Sequence, residues 1–178
     1  MTSKKTSELQ SATQPLREIG IAKITLNIGV GKSEEQLKRG LKLLERISSQ
    51  KPVATLAKKR IPAWGLRPGL AIGCKVTVRK DTQVLLRRLL AAKEMKLPEK
   101  KFDPRGNFSF GIPEYIDITG LEYDPELKIM GLEVAVTLER PGYRIKHRKL
   151  KNTAVGKTHI ITKEEAIAFV QKLGVEVQ

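Results

Sequence analysis

Aromatic side chains make up only 4% of this chain of 178 residues, so its core must be built mainly from aliphatic groups. A single cysteine, Cys74, excludes an internal disulfide, and two histidines beside it are too few ligands for a zinc finger or ribbon. No apolar run approaches the ~18 residues of a membrane-spanning helix. The first residues lack the apolar stretch of a secretory signal. Acid is scarce as well: 19 Asp and Glu stand against 34 Lys and Arg, a formal net charge of +15. Such an excess repels itself and is relieved by a polyanion, either nucleic acid or an anionic membrane surface.

What is present is ordinary globular material. Hydrophobic residues account for 40% of the chain, too many for a disordered polymer. The length suits one domain that buries roughly 70% of its unfolded surface. The expectation is a soluble, basic protein of a reducing compartment, with a flexible tail over residues 1–14 and a single domain over 15–178.

Periodicity places the elements. Ala22, Ile24, Leu26 and Ile28 alternate with Lys23, Thr25 and Asn27, the pattern of a half-buried strand. Ser33 with Gln36 reads as a capping box opening a helix that carries Leu37, Leu41, Leu44 and Ile47. A short strand is expected over 53–57. Ala71–Arg79 is the clearest strand, with Ile72, Cys74, Val76 and Val78 on one side and Gly73, Lys75, Thr77 and Arg79 on the other. Asp81 is expected to cap a helix with Leu85, Leu86, Leu89 and Leu90 inward. A turn at Asp103–Asn107 precedes a strand over 108–112, and Leu132, Val134, Val136 and Leu138 mark another. Thr162 with Glu165 opens a last helix with Ala166, Ile167, Val170 and Leu173 facing the core. The mixture predicts an α+β fold: an antiparallel or mixed sheet, helices packed on one face, the other face polar and basic, plus a long basic loop.

The charge is sorted along the chain. Residues 51–80 carry Lys51, Lys58, Lys59, Arg60, Arg67, Lys75, Arg79 and Lys80 and no acid. Residues 140–163 carry Arg140, Arg144, Lys146, Arg148, Lys149, Lys151, Lys157 and Lys163, again with no acid. Residues 114–139 between them hold seven acids and only Lys128. Solvated surfaces mix signs, so acid-free blocks point to phosphate contacts, although a solubilising face is the plainer alternative. If the strands carrying Lys23, Thr25, Asn27 and Lys75, Thr77, Arg79 are neighbours, one sheet face becomes a cationic platform with short hydrogen-bonding side chains. Such a face suits RNA, with cations on phosphates and Thr or Asn on sugar hydroxyls and base edges. It has no stacking aromatics, which excludes an RRM-like platform.

The breaker-rich segment 58–70 reads as a long basic loop with Trp64 between Lys58-Lys59-Arg60 and Arg67. Its indole either stacks on a base or folds back onto the core. Gly31-Lys32-Ser33 invites a nucleotide-hydrolysing reading, but a P-loop needs glycine where Leu26 stands. The glycines make a strand-to-helix turn, and the helix start is a candidate phosphate contact. His147 and His159 lack partners at a recognised catalytic or metal spacing. The residues assemble no catalytic site and call for no metal or cofactor.

Leu26-Asn27-Ile28-Gly29-Val30-Gly31, Gln50-Lys51-Pro52 and Ile72–Arg79 resemble the universal large-subunit ribosomal protein family numbered L-five. So do Gly106–Ile112, Leu138–Tyr143 and Ile161–Ala166; the likeness runs in order from about residue 15 onward and looks archaeal in type. It implies a non-enzymatic cytoplasmic ribosomal protein that binds 5S rRNA in the central protuberance. The family's RNA-contacting Asn, Gln and Thr fall on Asn27, Gln50 and Thr77, and its transfer-RNA loop on Lys58–Leu70. Further implied partners are 23S-type rRNA, P-site tRNA, neighbouring large-subunit proteins and a small-subunit bridge protein, with no membrane. The RNA surface expected is therefore Lys23, Thr25, Asn27, Gln50, Lys51, Lys75, Thr77 and Arg79. The loop contributes Lys58, Lys59, Arg60, Trp64 and Arg67, and Arg140, Arg144, Lys146, Arg148 and Lys149 are further basic contacts. The chain departs from the family pattern at Ser49, where Gly is common, at Trp64, where Phe is, and at Tyr115, where His is.

Overall fold

A computed structural model describes residues 15–178, so the tail expected over 1–14 lies outside the described residues. Five strands form one antiparallel sheet: β1 Gly20–Gly29, β2 Val53–Leu56, β3 Ala71–Val78, β5 Phe108–Ile112 and β6 Leu132–Glu139. Their order across the sheet is β2-β3-β1-β6-β5. The helices are α1 Glu34–Ser48, α2 Thr82–Ala91 and α3 Lys163–Lys172. A separate parallel pair, β4 Lys96–Leu97 with β7 Glu176–Val177, ties the C-terminus to the segment after α2. The expected α+β architecture is therefore the observed one, and the small pair is an addition that two-residue strands could not signal.

The alternation of apolar residues explains the layering. Ile24, Leu26 and Ile28 of β1, Cys74, Val76 and Val78 of β3, and Val134, Val136 and Leu138 of β6 are all buried in one cluster. Leu43, Leu44 and Ile47 of α1 and Leu85, Leu86, Leu89 and Leu90 of α2 belong to the same cluster, so the helices cover that side of the sheet. Burying so many aliphatic side chains supplies roughly 1.5–3 kcal/mol each, and Phe102, Phe108, Phe110, Tyr115 and Tyr143 are buried in the same cluster. Within α1, Leu43 and Gly40 are buried as well, while Leu37 and Leu41 are only partly so.

Two local readings change. A bulge between Ile21 and Lys23 pairs Ile21 with Leu138 and leaves Ala22 as the extra residue, so Ile21, not Ala22, packs against the core. Asp81 precedes α2 in the left-handed region, φ 51°, and its side chain makes no capping hydrogen bond. The other caps form. The Ser33 hydroxyl accepts from the Gln36 N–H, and Thr162 and Glu165 make a reciprocal capping box. Ser49 ends α1 with φ 52° and donates its N–H to the Glu45 carbonyl at 2.8 Å, a position where glycine is the unstrained choice.

Candidate nucleic-acid interface

The core occupies one side of the sheet, so the opposite set of side chains on each strand is left uncovered. Lys23, Thr25, Asn27 and Thr77 are half-buried there and Lys75 is exposed. Register then fixes who stands beside whom. Thr25 pairs with Thr77 on one side and Ala135 on the other, and Ala135 pairs with Ser109. This row of four short side chains forms a low strip across the sheet on which a polynucleotide backbone could lie close to two threonine hydroxyls. The next row reads Val53, Lys75, Asn27, Glu133 and Gly111. Lys23 pairs with Thr137 at the far end. β1 and β3 are thus immediate neighbours, as the platform reading requires.

Glu133 is the residue that sequence reasoning missed. The alternation of β6 implies that Glu133 points outward, but only the pairing of β6 with β1 sets it beside Asn27. Asn27 Nδ2 donates to Glu133 Oε2 at 3.3 Å, which orients the amide along the row. The carboxylate opposes any phosphate on the β6 side, so the cationic part of this face is its β2–β3–β1 half.

Gln50 and Lys51 enter the same half from below. The αL turn at Ser49 redirects the chain out of α1, and Gln50 lines a surface depression with Val78, Lys80, Val84 and Arg88, at the sheet edge on the α2 side. Val53 pairs with Lys75 and Ala54 with Cys74, so the residues just before β2 run toward Thr77. Lys51 is exposed there, and Arg79, also exposed, follows the end of β3. None of the eight cations of residues 51–80 lies within ion-pair distance of a carboxylate among the described residues.

The basic loop is more ordered than its Pro and Gly content implies. Ala57 donates to Leu70 O at 2.8 Å, Gly69 donates back to Ala57 O at 3.0 Å, and Ile61 and Leu66 exchange hydrogen bonds of 3.1 and 3.0 Å. These bonds continue the β2–β3 pair outward as a hairpin whose tip is a single turn, Pro62–Trp64, closed by Gly65 at φ 59°. Trp64 is 67% exposed at that tip, which decides between its two readings: the indole is not core. Lys58, Lys59, Arg60 and Arg67 are exposed around it.

The second basic block divides. Arg140 departs from the expected surface role: only 6% exposed, it donates to Glu165 Oε1 at 2.7 Å and His159 O at 3.3 Å. Its charge is used to fasten α3 to the end of β6. Burial alone would raise the Glu165 carboxyl, but the Thr162 backbone N–H and the Arg140 guanidinium outweigh it and hold it below its ordinary value. Lys146 pairs with Glu139 at 3.0 Å and lies over the Tyr143 ring at 4.5 Å. Arg144, Arg148 and Lys149 are exposed, although Arg148 Nε donates to Lys151 O at 2.7 Å.

Some of the acids of residues 114–139 are also used within the protein, while Glu114, Asp117 and Glu122 are exposed. Asp124 pairs with Arg46 at 2.7 Å, and Glu126 pairs with Lys42, fixing this segment to α1. Tyr115, 1% exposed, accepts the Asp124 N–H at 2.9 Å. The Asp124 carboxyl is held below its ordinary value by the Glu126 backbone N–H, with Arg46 adding to the effect.

The strand-to-helix turn is not a phosphate cradle. The N–H groups of Val30 and Gly31 both donate to Ile72 O, at 3.0 and 3.1 Å, and Glu34 and Glu35 occupy the first turn of α1. Donors already used and two carboxylates at the helix start disfavour an anion there, contrary to the expectation for this turn. His147 Nε2 stands 3.9 Å from Glu139, and His159 Nε2 contacts Pro141 O at 2.9 Å. Among the described residues no three His, Cys, Asp or Glu side chains cluster as a metal site would require.

Comparison with known proteins gives the same picture from another direction. Residues 14–67 match the family described as Ribosomal protein L5, and residues 71–173 match the C-terminal region of that same ribosomal family. The chain is 52% identical over 166 residues to the large ribosomal subunit protein uL5 of Nanoarchaeum equitans, covering 92% of this chain and 98% of that one. It is 45% identical over 170 residues to the uL5 protein of Nitrosopumilus maritimus, covering 94% and 98%. The uL5 protein of Methanococcus vannielii is 44% identical over 169 residues, covering 92% and 93%. Such proteins are structural parts of the ribosome and not enzymes. With an uncovered polar sheet face, a basic hairpin and both halves of the chain matched in order, this chain belongs to the ribosomal protein L5 family.

Proposed function

We propose that the chain is a structural component of the large ribosomal subunit that holds 5S rRNA on the β2–β3–β1 half of its open sheet face. The observation carrying this reading is the run of Lys51, Lys75, Thr77, Thr25, Asn27 and Arg79 over adjoining strands, with no carboxylate among the described residues paired to any of its cations. Lys23 and Gln50 border that run. Its threonine and asparagine side chains suit RNA sugars and base edges, and its lysines suit phosphates. In the same reading the Trp64 hairpin contacts P-site tRNA, Arg144, Arg148 and Lys149 add contacts to large-subunit rRNA, and the chain helps bridge to a small-subunit protein.

The test is to sequence the RNA that copurifies with the protein, then measure binding to that RNA across a salt range. If six cations contact phosphates, affinity falls roughly a thousandfold between 50 and 200 mM salt on the duplex scale. 5S rRNA in the copurified fraction with a steep salt slope supports the reading. An affinity flat across that range, or copurified RNA lacking 5S rRNA, overturns it.

A further inference from the structure

We infer that Lys32, from the turn between β1 and α1, belongs to the nucleic-acid-contacting surface of the Trp64 hairpin and extends that surface beyond the basic block that forms the hairpin. Lys32 is exposed, yet it does not simply project into solvent. A methyl group added to Gly65 would fall 2.8 Å from Lys32 Cε and closer still to its ammonium nitrogen. The lysine side chain therefore lies across the bare backbone of Gly65, the residue after Trp64. Gly65 is suited to this on two counts: its φ of 59° is strained for other residues, and its missing side chain leaves the space that Lys32 fills.

The backbone of the turn disfavours an anion, but the Lys32 ammonium is carried away from it to Gly65 of the hairpin. Among the described residues Lys32 has no carboxylate within ion-pair distance, and neither have Lys58, Lys59, Arg60 and Arg67. Of the two acids that follow in sequence, Glu35 is turned to Arg39 at 3.4 Å. A cation one residue from an indole that is 67% exposed is the pairing that binds single-stranded nucleic acid, the base stacked on the ring and its phosphate on the ammonium. The inference rests on the proposed role of the hairpin as a nucleic-acid contact, and adds Lys32 to it as a binding residue whose side chain lies against Gly65.

Trp64 is the only tryptophan, so its fluorescence reports on the hairpin alone. The full chain is titrated with a short single-stranded oligouridylate at 50 to 200 mM salt. Quenching is expected, and Lys32→Ala should bind more weakly, with a log–log salt slope shallower by about 0.7. Its deficit against the unaltered protein then shrinks about 2.6-fold across that range. Lys32→Arg should restore the slope. If Trp64 is quenched and Lys32→Ala keeps the original affinity and slope, Lys32 is no part of the contact and the hairpin reading stands without it. If the unaltered protein shows no quenching, both fall together.

Discussion

Gly40 should be intolerant of the smallest possible enlargement, although helix propensity alone predicts the reverse. It sits inside α1, where replacing glycine by alanine stabilises an exposed helix by about 0.5–1 kcal/mol. A Cβ at Gly40, however, would stand 2.8 Å from Cys74 Sγ on β3, with Ile28 and Val30 at 3.7 Å. Cys74 is fully buried and has no solvent side to retreat to. Overpacking a close-packed core costs about 1–3 kcal/mol, which exceeds the propensity gain over most of that range. Gly40→Ala is thus expected to lose about 1–2 kcal/mol net, a fall of roughly 2–8 °C in Tm for a chain of this size. Urea unfolding followed by far-ultraviolet circular dichroism measures it, because the lone Trp64 is too exposed to report on the core. Cys74→Ala removes the obstructing sulfur, so the two substitutions should couple favourably by about 1–3 kcal/mol in a double-mutant cycle. A Gly40→Ala protein more stable than the parent, with no coupling to Cys74, would refute the close contact between α1 and β3.

Further outcomes follow from the same geometry. Thr77→Val keeps shape and β-branching but removes the hydroxyl facing Thr25, and should weaken 5S rRNA binding by about 1–3 kcal/mol in a filter-binding assay without lowering Tm. Replacing the exposed Lys58, Lys59, Arg60 and Arg67 by Ser should leave the fold intact, lower 5S binding only through general loss of charge, and weaken a tRNA contact on assembled ribosomes. Trp64→Ala should change stability by less than about 0.5 kcal/mol, since the indole is largely exposed. The folded-state pKa of Glu165 lies below the ordinary 4.5, so its contribution is complete above that value and lost as the pH falls through the folded value. Glu165→Gln should therefore be less stable near neutrality and show a shallower loss below pH 4.5 in acid titrations. Burial pushes the Cys74 thiol up to about 11, so a thiol reagent at mildly alkaline pH should label it only as fast as the chain opens.

Most of the sheet was legible because alternation is a strong signal. β1 and β6 bury alternate residues, as β3 does from Cys74 onward, and the register flips if the pattern slips by one. The bulge at Ala22 escaped because it shifts a register that only the partner strand reveals. The positions of Thr25, Asn27, Lys75 and Thr77 could be read as one face, but not the strand order that makes them adjacent. Asp81 misled because residue type alone does not report backbone conformation, and a left-handed residue aims its carboxylate away from the helix start. Arg140 misled for another reason. Its partner Glu165 lies 25 residues on, outside the acid-free block in which the arginine was counted, and long-range pairing is silent in a charge tally.

That silence bears on how the whole charge is arranged. Several acids of this chain are engaged within it: Asp124 and Glu126 on α1, Glu139 on Lys146, Glu165 on Arg140, and Glu99 on Lys163 at 2.6 Å. Most of these pairs join elements distant in sequence, so the acids act as fasteners and take a share of the cations out of play. The cations of residues 51–80 receive no such partner among the described residues. Self-repulsion therefore persists on the β2–β3 hairpin and the sheet edge beneath it, as it does around the exposed Arg144, Arg148 and Lys149. A polyanion settling on the hairpin side relieves repulsion without displacing an existing pair among the described residues. Glu133 limits how far across the sheet that polyanion can spread, because beyond Asn27 the row turns negative. The asymmetry of the face, basic on the β3 side and acidic at β6, thus confines a bound polyanion to the β3 side.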